Sequence, residues 1–132
     1  EALGINETEI PYGAIKGGQN SGNDNATTTV VNFGNIPIDT DVEGTWMQKT
    51  DLSDQINEDN QEFDLANFTY GVGTYTLSST TPISVDTTIA KPTSVADVSD
   101  QIFWGMNVPG GTTSGEYAGT NTFTAKLDSL DW

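Results

Sequence analysis

The stretch that decides the fold is Ile102–Leu127, IFWGMNVPGGTTSGEYAGTNTFTAKL. Ile102, Trp104, Met106 and Val108 share one parity, and Tyr117, Phe123, Ala125 and Leu127 share another, so each run offers one apolar face to a core. Thr120, Thr122, Thr124 and Lys126 fill the opposite face of the second run, where β-branched polar side chains suit a wetted pleat. The connector Pro109 to Gly115 is too long for a two-residue turn and is rich in glycine. The pattern predicts a β-hairpin over Ile102–Leu127.

Strand signals extend outward from this stretch. Ala26 to Phe33 is rich in β-branched residues, and Gly34-Asn35 is expected to supply a tight hairpin turn. Ile36, Ile38 and Val42 then alternate with Asp39, Asp41 and Glu43, with Pro37 near the strand start, where a missing donor costs least. Phe68 to Ser78 and Ile83 to Ile89 read as further strands; Lys91-Pro92 ends the latter, and Thr93 to Asp100 follows as a short turn or helical loop. Thr50 or Asp51 is placed to cap a short helix through Ile56. Gly17 to Asn25 predicts a flexible polar loop, and Asn57 to Asp64 an acidic solvated one. Roughly eight or nine short strands separated by turns predict an all-β chain. The expected architecture is a two-sheet antiparallel β-sandwich (Ig-like or jelly-roll-like) with at most one short helix, and barrel closure is the alternative. Residues 1–16 form an extended segment and 17–132 the sandwich.

Composition narrows the chemistry. The 132 residues contain no cysteine, histidine or arginine, which removes the usual general base, the thiolate nucleophile and the bidentate phosphate clamp. The chain is therefore expected not to be an enzyme. Four lysines stand against 19 acidic residues, a net charge of −15, which repels nucleic acid and anionic membranes. No apolar run reaches the ~18 residues that would span a bilayer. The absence of an initiating methionine leads to the expectation of a mature, secreted form, with an extracellular or cell-surface location. Sequons at Asn6, Asn25 and Asn67 fit that location as candidate glycosylation sites.

Other candidates carry specific alternatives. Asp39-Thr-Asp-Val-Glu-Gly44 resembles the start of an EF-hand loop, making Asp39, Asp41 and Glu43 candidate metal ligands. In that frame position twelve is Thr50 rather than glutamate, and the plainer reading is three solvated carboxylates on a strand. No cofactor is required; any native metal would be oxygen-ligated, calcium first. Trp46, Trp104, Trp132 and Tyr117 are candidates for a sugar-stacking platform, with Trp104 better explained by the core.

The runs Thr28–Asn35 (TTVVNFGN), Ile36–Asp39 (IPID), Trp104–Pro109 (WGMNVP) and Gly115–Ala125 (GEYAGTNTFTA) resemble a group of secreted prokaryotic, especially archaeal, surface β-sandwich proteins. That group includes S-layer components, adhesins, and donor-strand filament subunits such as archaeal bundling pilins and related biofilm fibre proteins. The chain departs from it at Phe33 and in the acidic insert Asp51 to Asp64. The resemblance implies a structural subunit of a pilus-like extracellular filament, a homopolymer assembled by strand donation between copies. Glu1 to Lys16 is the candidate donor, with Leu3, Ile5, Ile10 and Tyr12 as apolar pegs. Pairing of that segment within its own domain is the competing reading. The other functional class is a secreted carbohydrate- or calcium-binding module, an adhesin or an S-layer-type component, for which glycans are the partners.

Overall fold

A computed structural model describes residues 3–7, 9–89 and 98–127. The chain is all-β and sandwich-like, as its alternation requires, with no α-helix among the described residues. The strands are β1 (Leu3–Ile5), β2 (Ala26–Asn32), β3 (Ile38–Gly44), β4 (Met47–Lys49), β5 (Gln55–Ile56), β6 (Gln61–Asp64), β7 (Tyr75–Thr76), β8 (Ile83–Ile89), β9 (Val98–Met106), β10 (Tyr117–Ala118) and β11 (Asn121–Leu127). They form three antiparallel sheets, ordered β1-β2-β9-β6-β7, β11-β3-β8 and β10-β4-β5. Two of these supply most of the facing layers, and the small third sheet closes one end over a second apolar cluster.

The core is built around a row of rings. Trp104 of β9 lies opposite Phe63 of β6 and Ala26 of β2, and Phe63 lies opposite Tyr75 of β7. Phe63 stacks on Trp104 at 4.8 Å between centroids and on Tyr75 at 5.3 Å. From the opposite sheet Phe123 meets Trp104 edge-on at 5.9 Å, the geometry that brings ring edge onto ring face. The buried indole N–H donates to Thr28 Oγ1 at 3.0 Å, so the largest side chain in the core leaves no orphan donor.

Several sequence expectations need correction. The two runs of Ile102–Leu127 are strands, but they do not form a hairpin: β9 lies in the five-stranded sheet and β11 pairs with β3 in another. Parity identifies the face of the first run, since Ile102, Trp104, Met106 and Val108 are buried, but in the second run Leu127 is 49% exposed, and faces that meet across a sandwich give the same pattern as faces that adjoin. Likewise β2 and β3 lie in different sheets, and neither Gly34 nor Asn35 has positive φ. Asn32 makes that corner instead: its Oδ1 accepts from Gly34 N at 2.9 Å and its Nδ2 donates to Ile36 O at 2.7 Å.

The expected helix from Thr50 to Ile56 is the β4–β5 connection. Asp51 Oδ1 accepts from Ser53 N at 3.0 Å and Ser53 Oγ at 2.6 Å, while Leu52 takes φ 64°. The side chain read as a helix cap thus closes an Asx turn, which uses the same donor-acceptor geometry. Asn57 to Asp64 is not a solvated loop: after one 3-10 turn, Glu58–Asn60, it becomes β6 and places Phe63 at the core centre. Phe68 lies outside any strand and covers the outer face of the large sheet, its ring against Gly73 and Gly105. Val98 to Asp100 belong to β9 rather than to a turn. The Lys91-Pro92 strand end and Trp132 lie outside the described residues.

Because Phe63 bridges two rings and is fully buried, Phe63→Ala should cost about 3–5 kcal/mol in urea unfolding. Phe33→Ala, at a side chain 58% exposed, should cost under about 1 kcal/mol. Equal losses would place the core elsewhere.

Candidate functional site

The chemistry-bearing feature is the N-terminal segment and the cleft that it roofs. Leu3, Gly4 and Ile5 pair with Asn32, Val31 and Val30, making β1 the edge of its own sheet. A Cβ on Gly4 would run into the Phe33 ring, so the absent side chain lets that ring lie against the strand from outside. Beyond Asn6 N, which donates to Thr29 O at 3.2 Å, the segment leaves the sheet. Glu7 then substitutes for lost backbone pairing, its carboxylate accepting from Thr29 N at 2.5 Å and Thr29 Oγ1 at 2.8 Å.

From Glu9 to Ile15 no backbone hydrogen bond ties the segment to the body among the described residues. Side chains hold it. Leu3, Ile5, Ile10 and Tyr12 pack on the main core, and Tyr12 and Ile15 pack on the second cluster of Ile56, Met106 and Val108. The Tyr12 hydroxyl donates to Gln61 Oε1 at 2.8 Å, and burial raises the Tyr12 pKa well above the usual phenol value. The structure therefore brings together all four predicted pegs, within the same chain. The loop after them is tied down rather than free: Gly18 N donates to Val108 O at 2.7 Å, Val108 N to Gln19 O at 2.8 Å and Ser21 N to Met106 O at 2.8 Å.

Two adjoining cavities lie under this strap, of about 410 and 990 Å³, sharing Glu9, Ile10, Tyr12, Met47, Tyr117 and Ala118 as walls. The smaller lies on the open side of the sandwich, between the β1–β2 edge, which contributes Ile5 and Thr28, and β11, which contributes Asn121 and Phe123. The far wall is kept in shape by Asp54. Its Oδ2 accepts from Thr113 N at 2.8 Å and Oγ1 at 3.1 Å and lies 3.2 Å from the Tyr117 hydroxyl, pinning the 109–115 connector to the β4–β5 hairpin. The Thr113 and Gln55 backbone donors hold the Asp54 carboxyl below its ordinary pKa. Sequence reasoning missed Gln61, Thr28 and Asp54; each lies far in sequence from the partners that give it a role.

The remaining candidates do not converge. Asp39, Asp41 and Glu43 project at alternate positions of β3, opposite Lys126, Thr124 and Thr122 of β11. An extended strand paired on both sides cannot wrap a cation, so these residues do not fit an EF-hand frame, and no metal-holding group occurs among the described residues. Trp104 is at the core while Trp46 is 46% exposed with Nε1 donating to Gln48 Oε1, so they share no platform. Of the sequons, Asn6 and Asn67 are exposed. Asn25 is structural: its Oδ1 accepts from Phe68 N at 2.8 Å, and its Nδ2, the atom a glycan would join, is buried. No protein-family model matches the chain, and no curated protein or solved structure matches it.

The Glu7 contact sets a pH dependence. Burial raises the pKa of this carboxyl, but the backbone and side-chain bonds from Thr29 outweigh it and hold the value below the ordinary 4.5. A depressed carboxylate stabilises the fold above 4.5, and the contribution disappears as pH falls through the folded value. The melting temperature of the parent protein should therefore drop more steeply below pH 4.5 than that of Glu7→Gln, measured over the same series. Parallel profiles would show that the Thr29 contacts contribute nothing.

Proposed function

We propose that this protein is a structural subunit of an extracellular surface filament, joined to copies of itself by exchange of the segment that ends at Lys16. The observation that carries the reading is how the strap is attached: three paired residues, the Asn6 amide on Thr29 O, the Glu7 carboxylate contact, the Tyr12–Gln61 bond and a row of apolar side chains, with no backbone pairing from Glu9 to Ile15 among the described residues. A segment bound this way can leave its own body and make the same contacts on a neighbour, so exchange costs little contact energy. Exchange that runs head to tail does not close, and an open chain of subunits is a fibre. The absence of histidine, cysteine and arginine suits a scaffold rather than a catalyst.

Charge sets the conditions. Copies of net charge −15 repel at low ionic strength, and salt shortens that repulsion from a Debye length of about 30 Å at 0.01 M to about 3 Å at 1 M. Assembly should therefore be promoted by salt. Because the chain has no cysteine of its own, the double variant Ile5→Cys, Val30→Cys can lock β1 to β2 through one engineered disulfide. In high salt the oxidised variant should remain monomeric by light scattering and electron microscopy, and reduction should restore filaments. Assembly undiminished in the oxidised form would rule out exchange of this segment.

A further inference from the structure

Two nearly buried residues that line the smaller cavity, Gln61 and Thr28, each keep a donor with no protein acceptor among the described residues. Gln61 is 2% exposed and lines it; its Oε1 accepts from Tyr12 and from Asn121 Nδ2, which lies 3.4 Å away, and its Nε2 makes no hydrogen bond among the described residues. Thr28, also 2% exposed and lining the cavity, uses its oxygen to accept from Trp104, which leaves the hydroxyl proton without an acceptor among the described residues. Both donors are therefore available to an acceptor in the cavity. The rim has the opposite character. Glu7 and Glu9 bring carboxylates to it, and Phe123, Tyr12 and Tyr117 add aromatic surface.

We infer that this cavity is a binding site for a neutral saccharide of one or two rings. An anion would find the donors but be repelled by the rim, within a protein of net charge −15. A cation would suit the rim but meet the donors of Gln61 and Thr28. A sugar hydroxyl satisfies both, since its oxygen can accept from Gln61 Nε2 and Thr28 while its proton can go to Glu9, or to a lone pair of Glu7 that Thr29 leaves unused. Its C–H faces pack on aromatic walls. A volume of about 410 Å³ falls in the range of small-molecule sites, ~300–1,000 Å³. Strap residues Ile5, Glu7, Glu9, Ile10 and Tyr12 line the site, so it is complete in the monomer, where the strap is seated on its own body.

The test is a nitrogen-resolved NMR titration of the monomer at low salt with the methyl glycosides of glucose, galactose, mannose and N-acetylglucosamine, alongside methyl glucuronide and glucosamine as charged controls. At least one neutral glycoside should bind with a millimolar dissociation constant, shifting the Gln61 side-chain amide and the backbone amides of 117–121. It should bind at least tenfold more tightly than either charged sugar. Ala118→Phe, which fills the cavity from an exposed wall position, should weaken binding at least tenfold. If that variant does not fold, the identity of the shifted resonances decides the matter. No shift at Gln61 with any neutral glycoside up to roughly 50 mM would mean that water alone occupies the cavity, and would overturn the proposal. Shifts confined to other surfaces, or tighter binding of a charged sugar, would overturn it as well.

Discussion

The structure depends on burying one indole. Trp104 is fully enclosed, and enclosure of so large a ring carries two requirements: apolar surface to either side and an acceptor for its N–H. Phe63 and Phe123 meet the first from two different sheets, and Thr28 meets the second from the neighbouring strand. Three separate parts of the chain are thereby fixed relative to one another by a single side chain. The same arrangement explains why residues 57–64 cannot be a detour: without Phe63, the ring row would end at Trp104 with a void.

Much of the fold was legible because alternation reports burial directly. Ile38, Val42, Val85 and Ile102 are buried where their parity placed them. What parity does not report is which strand lies beside which. Trp104 and Phe123 sit on adjacent runs of sequence and do touch, but across the sandwich and not along a ladder, and nothing in a period-two pattern separates these cases. Short elements failed for another reason. β5, β7 and β10 are only two residues long, below the length at which any period can be counted. Local polar chemistry was ambiguous in the same way, since the oxygen of Asp51 that would cap a helix also closes a turn.

The site was legible in part. Leu3, Ile5, Ile10 and Tyr12 stood out as apolar residues in a polar surrounding, and the structure gathers them on the core. Gln61 was invisible because a glutamine in an acidic stretch looks solvated; only the approach of Tyr12, 49 positions away, makes it a buried hub. Loop stiffness was also misjudged from composition. Residues 17–25 contain little but glycine and polar side chains, yet their backbone amides and carbonyls find partners at Met106 and Val108, because a chain running beside the end of β9 meets unpaired groups of the right spacing.

One amide just before β2 sets folding against sugar attachment. Asn25 belongs to an acceptor sequence for sugar attachment, but in the folded molecule its oxygen holds Phe68 N and its nitrogen is enclosed. Oligosaccharide transfer to that nitrogen and packing of Phe68 over Gly73 and Gly105 therefore compete in time. A chain that folds first is protected at Asn25, whereas a chain modified first must leave Phe68 and the glycines it covers open to solvent. Were a sugar ever attached to this asparagine, its presence would record that modification preceded folding.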